Sequence, residues 1–188
     1  MAGLPLVETL QKLAKGFGNI IKGESNSKQQ IIDYLKGKGY SNEAVAGIMG
    51  NIDVESDGSF DYTIDEAGKK DGINRGYGLF QFTGNTKKYY NDYLDSANKG
   101  DSMESQIDFM DELVKGNIKY YNDEDKKMVP VLGYGNVDKI QDIFLNETDP
   151  GKISLKFSEI VEKPKKEKAH NDKRLASSLS FYESFNTK

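Results

Sequence analysis

The sequence contains no cysteine, and its one histidine is His170. Thiol nucleophiles, disulfide scaffolds and zinc sites built from cysteine and histidine are therefore excluded. His170 lies in the charged run KPKKEKAHNDKR, which is typical of a solvated helix face. Any chemistry must come from carboxylates, hydroxyls or lysines, and we expect neither a metal site nor a cofactor.

Long apolar runs and an excess of positive charge are also missing. No apolar stretch approaches the roughly 18 residues of a membrane span, and the N-terminal residues lack the pattern of a secretion signal. We therefore expect no membrane span and no signal peptide. The formal net charge is -4. Because a protein that neutralises phosphates needs a basic face, we do not expect nucleic acid as a partner.

The length of 188 residues suits one domain with a proper core. Residues 4–21 place leucine, phenylalanine and isoleucine at helical spacing, and the polar stretch KGESNS follows them. We predict an amphipathic N-terminal arm and linker over residues 1–26 and one globular domain over residues 27–188.

Capping residues and apolar spacing predict the helices of this domain. Ser27 with Gln30 predicts a helix to about Lys36, and Ser41 caps the next one. The same signals predict later helices over residues 85–97, 102–115, 137–146, 149–163 and about 166–185.

For two of these later helices, the sequence also predicts the roles of individual residues. Asp101 and Glu104 are expected as the N-cap and N3 residues of the helix over 102–115. In the last helix, Leu175, Leu179 and Tyr182 are expected to face inward.

The segment from Gly58 to Phe82 differs from the rest of the domain. Helical spacing fails there, glycines recur, and the short alternating pieces SFDYTI and GYGLFQF favour a small β-hairpin. This segment is the one β candidate. The predicted fold class is therefore α+β, mainly α.

The segment GNIDVESDGSFD is rich in carboxylates and could be a calcium loop. Asp53, Glu55, Asp57 and Gly58 match positions 1, 3, 5 and 6 of an EF-hand loop. Ile64 stands where that loop needs its bidentate glutamate. We therefore expect no calcium site.

Glu55 itself follows an apolar stripe formed by Val45, Ile48, Met49 and Ile52 at helical spacing. It lies on the apolar side of the last helical turn, where desolvation and the negative end of the helix dipole both favour a protonated carboxyl. A general acid for glycoside cleavage needs such a proton near neutral pH. Spacing alone, however, favours the simpler interpretation of a glutamate that merely ends a helix.

The motif AVAGIMGNIDVES, followed by GYGLFQFTG, resembles the phage tail lysozyme family of the lysozyme and lytic transglycosylase superfamily. Together with IIDYLKGKGYSNEAVAGIMGN and the later VEKP, the resemblance spans roughly residues 27–185. It implies a lysozyme-like fold in which a helical lobe and a small β-hairpin flank a cleft.

The resemblance also implies which carboxylates act. Glu55 is the catalytic acid at the floor of the cleft. A second carboxylate, where the family uses one, comes from the hairpin loop, whose candidates here are Asp61, Asp65, Glu66 and Asp71. Asp65 is the first choice and Asp71 the second, as solvated groups that stay ionised.

Four residues of the GYGLFQFTG motif are expected to contact substrate. By the resemblance, Gln81 faces the sugar chain and Tyr77 or Phe80 supplies an apolar wall, although plain core packing explains these aromatic residues equally well. Thr83 offers a hydroxyl that could hold a water molecule, which leaves open a mechanism without a second acid.

Glu162, in VEKP, matches an acidic residue that precedes a proline in the family. Substrate contact is one interpretation. An ion pair with Arg174 or Lys173 that ties the last two helices together is at least as well supported.

The resemblance implies a phage tail enzyme that acts from the virion on the bacterial cell wall. It would hydrolyse the β-1,4 bond between N-acetylmuramic acid and N-acetylglucosamine in peptidoglycan glycan strands. The alternatives are a lytic transglycosylase on the same bond and a non-catalytic tail or wall-binding module, which has no need of Glu55 as a proton donor. The arm over residues 4–21 is expected to dock to another tail protein or to a second copy.

Overall fold

The computed structural model describes residues 27–67, 72–162 and 170–187. The arm predicted over residues 4–21 and the candidate acid Asp71 lie outside the described residues. The elements in chain order are α1 (27–37), α2 (Asn42–Glu55), α3 (Gly84–Ala97), α4 (Met103–Val114), β1 (Lys119–Asn122), β2 (Lys127–Pro130), α5 (Tyr134–Asn146), α6 (Pro150–Phe157), the π-helical turn Ser158–Glu162 and α7 (Asn171–Asn186). The predicted fold class, α+β and mainly α, is confirmed.

The β-hairpin is formed by β1 and β2, which pair antiparallel with Lys119 opposite Pro130 and Asn122 opposite Lys127. The Asn122 side chain accepts hydrogen bonds from the backbone N–H groups of Glu124 (2.9 Å) and Asp125 (3.0 Å). An asparagine that binds the backbone in this way favours a turn. The hairpin therefore follows from local chemistry in KYYNDEDKKMVP, a signal that the sequence analysis missed.

The prediction of a hairpin between Gly58 and Phe82 is wrong. In the described part of this segment the structure has isolated bridges, from Tyr77 to Asp65 and to Phe82. Gly78 and Gln81 both have positive φ angles, 76° and 46°, so the chain reverses before two strands can extend. GYGLFQF is a tight turn instead of a strand.

The predicted helix starts at Ser41 and Asp149 are confirmed, and one predicted cap is wrong. Ser41 accepts a hydrogen bond from Ala44 N at 3.1 Å, and Asp149 caps α6. The cap of α4 is Ser102, whose hydroxyl accepts from Ser105 N at 3.1 Å, and not Asp101. Asp101 instead accepts hydrogen bonds from two tyrosine hydroxyls.

The core is arranged around α2. Val45, Ile48, Met49 and Ile52 are completely buried, as their spacing predicts. α2 also packs closely against the last two α-helices. No described helix is both long and apolar enough to cross a membrane.

Two glycines of α2 allow this close packing. A Cβ atom on Gly47 would lie 2.6 Å from Ile153 Cγ2 in α6, and one on Gly50 would lie 2.8 Å from Ser178 N in α7. Such distances are shorter than van der Waals contact, so α6 and α7 touch the α2 backbone itself. This approach brings polar groups of α7 to the C-terminal half of α2.

The inward face of α7 differs from the prediction. Leu175 and Leu179 are 38% and 40% exposed, whereas Arg174 and Ser178 are completely buried. Tyr182 is partly buried, and its hydroxyl donates to Glu43 at 2.8 Å. The small Ser178 fits against the α2 backbone, and Arg174 forms ion pairs with carboxylates. Hydrophobicity alone therefore did not determine the orientation of this helix.

Candidate active site

Glu55 is the last residue of α2, and the turn that follows it is held by Ser56. The completely buried Ser56 hydroxyl donates to Ile52 O at 2.7 Å and accepts from Phe60 N at 3.0 Å. Asp57 then takes a positive φ of 49° and turns the chain away from the helix. The Glu55 side chain, 20% exposed, therefore stands at the boundary between core and solvent.

Arg174 of α7 is the main partner of Glu55. Its side chain is completely buried, and Nη2 donates to Glu55 Oε1. Nη1 donates to Asn51 Oδ1 at 2.5 Å and lies 2.8 Å from Glu162 Oε2. Burial of a guanidinium is costly unless hydrogen bonds and negative charge surround it, and here three side chains supply both.

Asn51 connects this cluster to α6. Its amide nitrogen donates to Gly47 O at 2.9 Å and to Ser154 O and Oγ, each at 3.0 Å. Its amide oxygen is thereby aimed at Arg174. Asn51 of α2, which is itself fixed by its bonds to α6, therefore helps to hold the guanidinium in one orientation.

Glu162, at the end of the π-helical turn, is the second carboxyl on Arg174. Only 4% of its side chain is exposed. Burial raises the pKa of the Glu162 carboxyl above its ordinary value, the negative charge of Glu55 raises it further, and Arg174 acts in the opposite direction. The ion pair with Arg174 that was weighed for Glu162 is present, and it joins α7 to the π-helical turn that follows α6.

A small cavity lies beside Glu162. Its volume is about 30 Å³, room for roughly one or two water molecules. The residues around it are Phe80, Gln81, Phe82, Thr83, Thr86, Val161 and Glu162. The structure thus brings together four of the residues expected to contact substrate, namely Phe80, Gln81, Thr83 and Glu162.

These residues differ in their access to solvent. Phe80 is 3% exposed and its ring centroid lies 6.0 Å from that of Phe157, which is core packing. Gln81 donates from its amide to Gly78 O at 3.0 Å and so braces the turn. Thr83 is exposed at the N-cap of α3, and its side chain makes no capping hydrogen bond.

Asp65 and Tyr77 lie in a second, larger cavity of about 390 Å³, the size of a small-molecule site. Its lining consists of Asp65, Gly72, Arg75, Tyr77, Lys87, Tyr90, Asn91, Leu94 and Asp101. Asp65 Oδ2 lies 3.5 Å from Arg75 Nη1. The Tyr77 hydroxyl donates to Asp101, and burial and this bond raise the pKa of Tyr77.

The sequence profile described as "Phage tail lysozyme" matches residues 26–185 of the chain. The chain belongs to the phage tail lysozyme family. A comparison with curated proteins finds no match. Membership supports a phage-associated, lysozyme-type glycosidase activity and a place in the virion tail.

In this member of the family, the expected site residues form two groups. Glu55 is linked through Arg174 to Glu162 and its small cavity, whereas Asp65 and Tyr77 belong to the larger one. The turn from Tyr77 to Phe82 lies between the two cavities. Tyr77 lines the larger cavity, and Phe82 lines the smaller one.

Part of this arrangement was not predicted from the sequence. Arg174 was considered only as a partner of Glu162, and neither its contact with Glu55 nor the role of Asn51 was predicted. A local signal did exist, because an arginine one turn before Ser177 and Ser178 marks a polar stripe on α7. Asp53 accepts a hydrogen bond from Ser177 of α7, and Glu55 accepts one from Arg174 of the same helix.

Proposed function

We propose that this phage tail lysozyme cleaves the β-1,4 bond between N-acetylmuramic acid and N-acetylglucosamine, with Glu55 as the general acid. The observation that supports this role is the position of the Glu55 carboxyl. It ends a completely buried apolar stripe, remains 20% exposed, and is held by the buried Arg174. A sugar oxygen can therefore approach a carboxyl whose orientation is set before substrate binds.

Cleavage transfers the proton of Glu55 to the leaving glycosidic oxygen while the bond from that oxygen to the anomeric carbon breaks. A water molecule then adds to the anomeric carbon and gives up one proton. Asp65 is our candidate for stabilising the positive charge of the transition state or for activating this water. Its side chain is 39% exposed, so substrate and water can reach it.

The glycan strand is proposed to run across the turn between the two cavities. Tyr77 borders the larger cavity and can present an aromatic surface to a sugar ring. The exposed Thr83 hydroxyl and the Gln81 side chain border the smaller one and can form hydrogen bonds with sugar hydroxyls.

A lytic transglycosylase on the same bond is the second candidate. The small cavity is lined by Gln81, Thr83 and the buried Glu162, whose carboxyl is paired with Arg174, and no other carboxylate lines it among the described residues. That composition suits a mechanism in which the muramoyl 6-hydroxyl attacks in place of water. Mass analysis of the muropeptides distinguishes the two reactions, because the anhydro product lacks one water.

The test is Glu55→Gln in the full chain, assayed on purified peptidoglycan. Glutamine keeps the shape and can still accept a hydrogen bond from Arg174, but it has no acidic proton to donate, so we expect loss of lysis with a retained circular dichroism spectrum. Glu159→Gln is the matched control, since Glu159 is exposed and pairs with Lys156. Wild-type lysis by folded Glu55→Gln would refute this role.

A further inference from the structure

Arg174 contacts two carboxyl groups that come from different parts of the chain. We propose that Glu162 and Arg174 are positioning residues that allow Glu55 to keep its proton, because the two carboxyls share one guanidinium and bind one proton between them. This inference rests on the proposed function of Glu55. It assigns to Glu162 a task other than substrate contact or the joining of helices.

The geometry leads to this sharing. Nη2 of Arg174 donates to Glu55, and Nη1 lies 2.8 Å from Glu162 Oε2. Each carboxyl therefore contacts a different nitrogen of the same guanidinium group. The guanidinium carries one positive charge and is completely buried. If both carboxyls were ionised, a net negative charge would remain in a site largely shielded from water, which is costly.

The surroundings of Glu162 supply no second cation among the described residues. The charged groups that face it are Glu55 from α2 and Arg174 from α7. Burial raises the pKa of Glu162, followed by the charge of Glu55. Both effects favour one bound proton for the pair, which titrates as a unit.

The shared proton can reside on either carboxyl. When Glu162 holds it, Glu55 is the ionised partner of Arg174, and when Glu55 holds it, Glu162 takes over the ion pair. The net charge of the buried cluster is the same in both states. Without the Glu162 carboxyl, Arg174 would stabilise only the ionised form of Glu55 and would oppose proton retention.

The proton balance closes over one hydrolytic cycle. Protonated Glu55 gives its proton to the leaving oxygen and becomes a carboxylate that Arg174 stabilises. The attacking water then releases a proton as it adds to the anomeric carbon, and this proton restores the singly protonated pair.

The test is the pH dependence of kcat/KM for Glu162→Gln, measured with the full chain on peptidoglycan. The glutamine amide oxygen can still accept a hydrogen bond from Arg174. Glutamine cannot ionise, however, so it cannot take over the ion pair with Arg174 while Glu55 holds the proton. We expect the alkaline limb of the profile to move at least about one pH unit lower, which is roughly a tenfold loss of activity on that limb. Activity on the acid side should change little, because Glu55 is protonated there.

Two variants complete the test. Glu162→Asp keeps a titrating carboxyl and should restore the wild-type shape of the profile at a reduced rate. Glu159→Gln removes an exposed carboxyl from the same π-helical turn and should leave the profile unchanged. The wild-type enzyme must also retain its alkaline limb above about pH 7, a requirement that holds even if Glu162→Gln does not fold.

The outcomes separate this inference from the proposed function. A wild-type profile for Glu162→Gln, with Glu55→Gln inactive, would overturn the sharing of the proton and leave Glu55 as the acid. Activity in Glu55→Gln with none in Glu162→Gln at any pH would make Glu162 the acid and overturn both. Full activity in both variants would refute the proposed mechanism itself.

Discussion

Gly50→Ala tests whether the close contact between α2 and α7 positions the candidate acid. A Cβ atom at this position would lie 2.8 Å from both Ser178 N and Ser178 Cβ and 2.9 Å from Arg174 O. Two of these three atoms belong to the α7 backbone, so no side-chain rotation can relieve the clash. The whole helix must withdraw, and Arg174 must move with it.

The expected cost follows from the distances. Ordinary contact begins near 3.4 Å, so α7 has to shift by about 0.6 Å from its present position. Overpacking of this kind costs about 3 kcal/mol at the upper end of the usual range, and alanine returns roughly 1 kcal/mol of helix propensity. We expect a net loss near 2 kcal/mol, which lowers the melting temperature by about 4–8 °C for a domain of this size.

Gly37→Ala is the matched control, because Gly37 is also helical and a Cβ atom there meets nothing within 4 Å. It should leave stability unchanged or raise it by about 0.4–1 kcal/mol. Both variants are compared by urea denaturation and by lysis of peptidoglycan below the melting temperature. Gly50→Ala should lose activity even where it is folded, since Arg174 no longer holds Glu55.

A Gly50→Ala variant that is as stable and as active as Gly37→Ala would refute this prediction. Such a result would mean that α7 does not contact the α2 backbone at this point. A loss of stability with full activity would separate the two roles, because the contact would then matter for folding and not for the orientation of Glu55.

Further predictions concern the second acid, the acid stability of the fold and the N-terminal arm. Asp65→Asn should lower the rate strongly in a hydrolase and only slightly in a transglycosylase, and a larger effect of Asp71→Asn would move the assignment to that residue. Burial raises the pKa of Asp108, but the ion pairs with Lys38 and Lys99 have the larger effect. The pKa of Asp108 is therefore lowered to about 2. The stability that this carboxylate contributes is therefore present above its unfolded pKa and disappears as the pH falls towards 2. Asp108→Asn should lower the free energy of unfolding by about 2 kcal/mol in urea denaturation at neutral pH. Its stability should also depend less on pH in the acid range than that of the wild type. Deletion of residues 1–24 should leave hydrolysis of soluble wall fragments intact and reduce self-association or particle incorporation, measured by light scattering and incorporation assays, whereas loss of activity would make the arm part of the enzyme core.

Local signals in the sequence were sufficient for the helices and for the location of Glu55. Ser41 caps α2 through a bond to a residue three positions away, and the apolar stripe repeats within four turns of one helix. Such contacts depend on neighbours in the chain and on the geometry of a single helix. The same locality explains why the hairpin at β1 and β2 could have been found from its turn residues.

There is a physical reason why the sequence predicted the hairpin at the wrong position. Alternating apolar residues in GYGLFQF also suit a turn whose side chains reach the core, and the positive φ angles of Gly78 and Gln81 determine which of the two forms. Periodicity does not report backbone angles, and Gln81 is not a residue type that normally signals a left-handed conformation.

By itself, the sequence determined that a carboxyl ends an apolar helix and that a glycine-rich segment follows it. Only the tertiary structure decided what surrounds that carboxyl. Arg174 lies 119 positions from Glu55 along the chain, and it faces inward because Gly50 lets α7 approach and because Glu55, Glu162 and Asn51 balance its buried charge. The apolar spacing of α7 favours a different face, about 100° around the helix, with Leu175 and Leu179 inward. The observed choice therefore depends on close packing and charge pairing between distant segments.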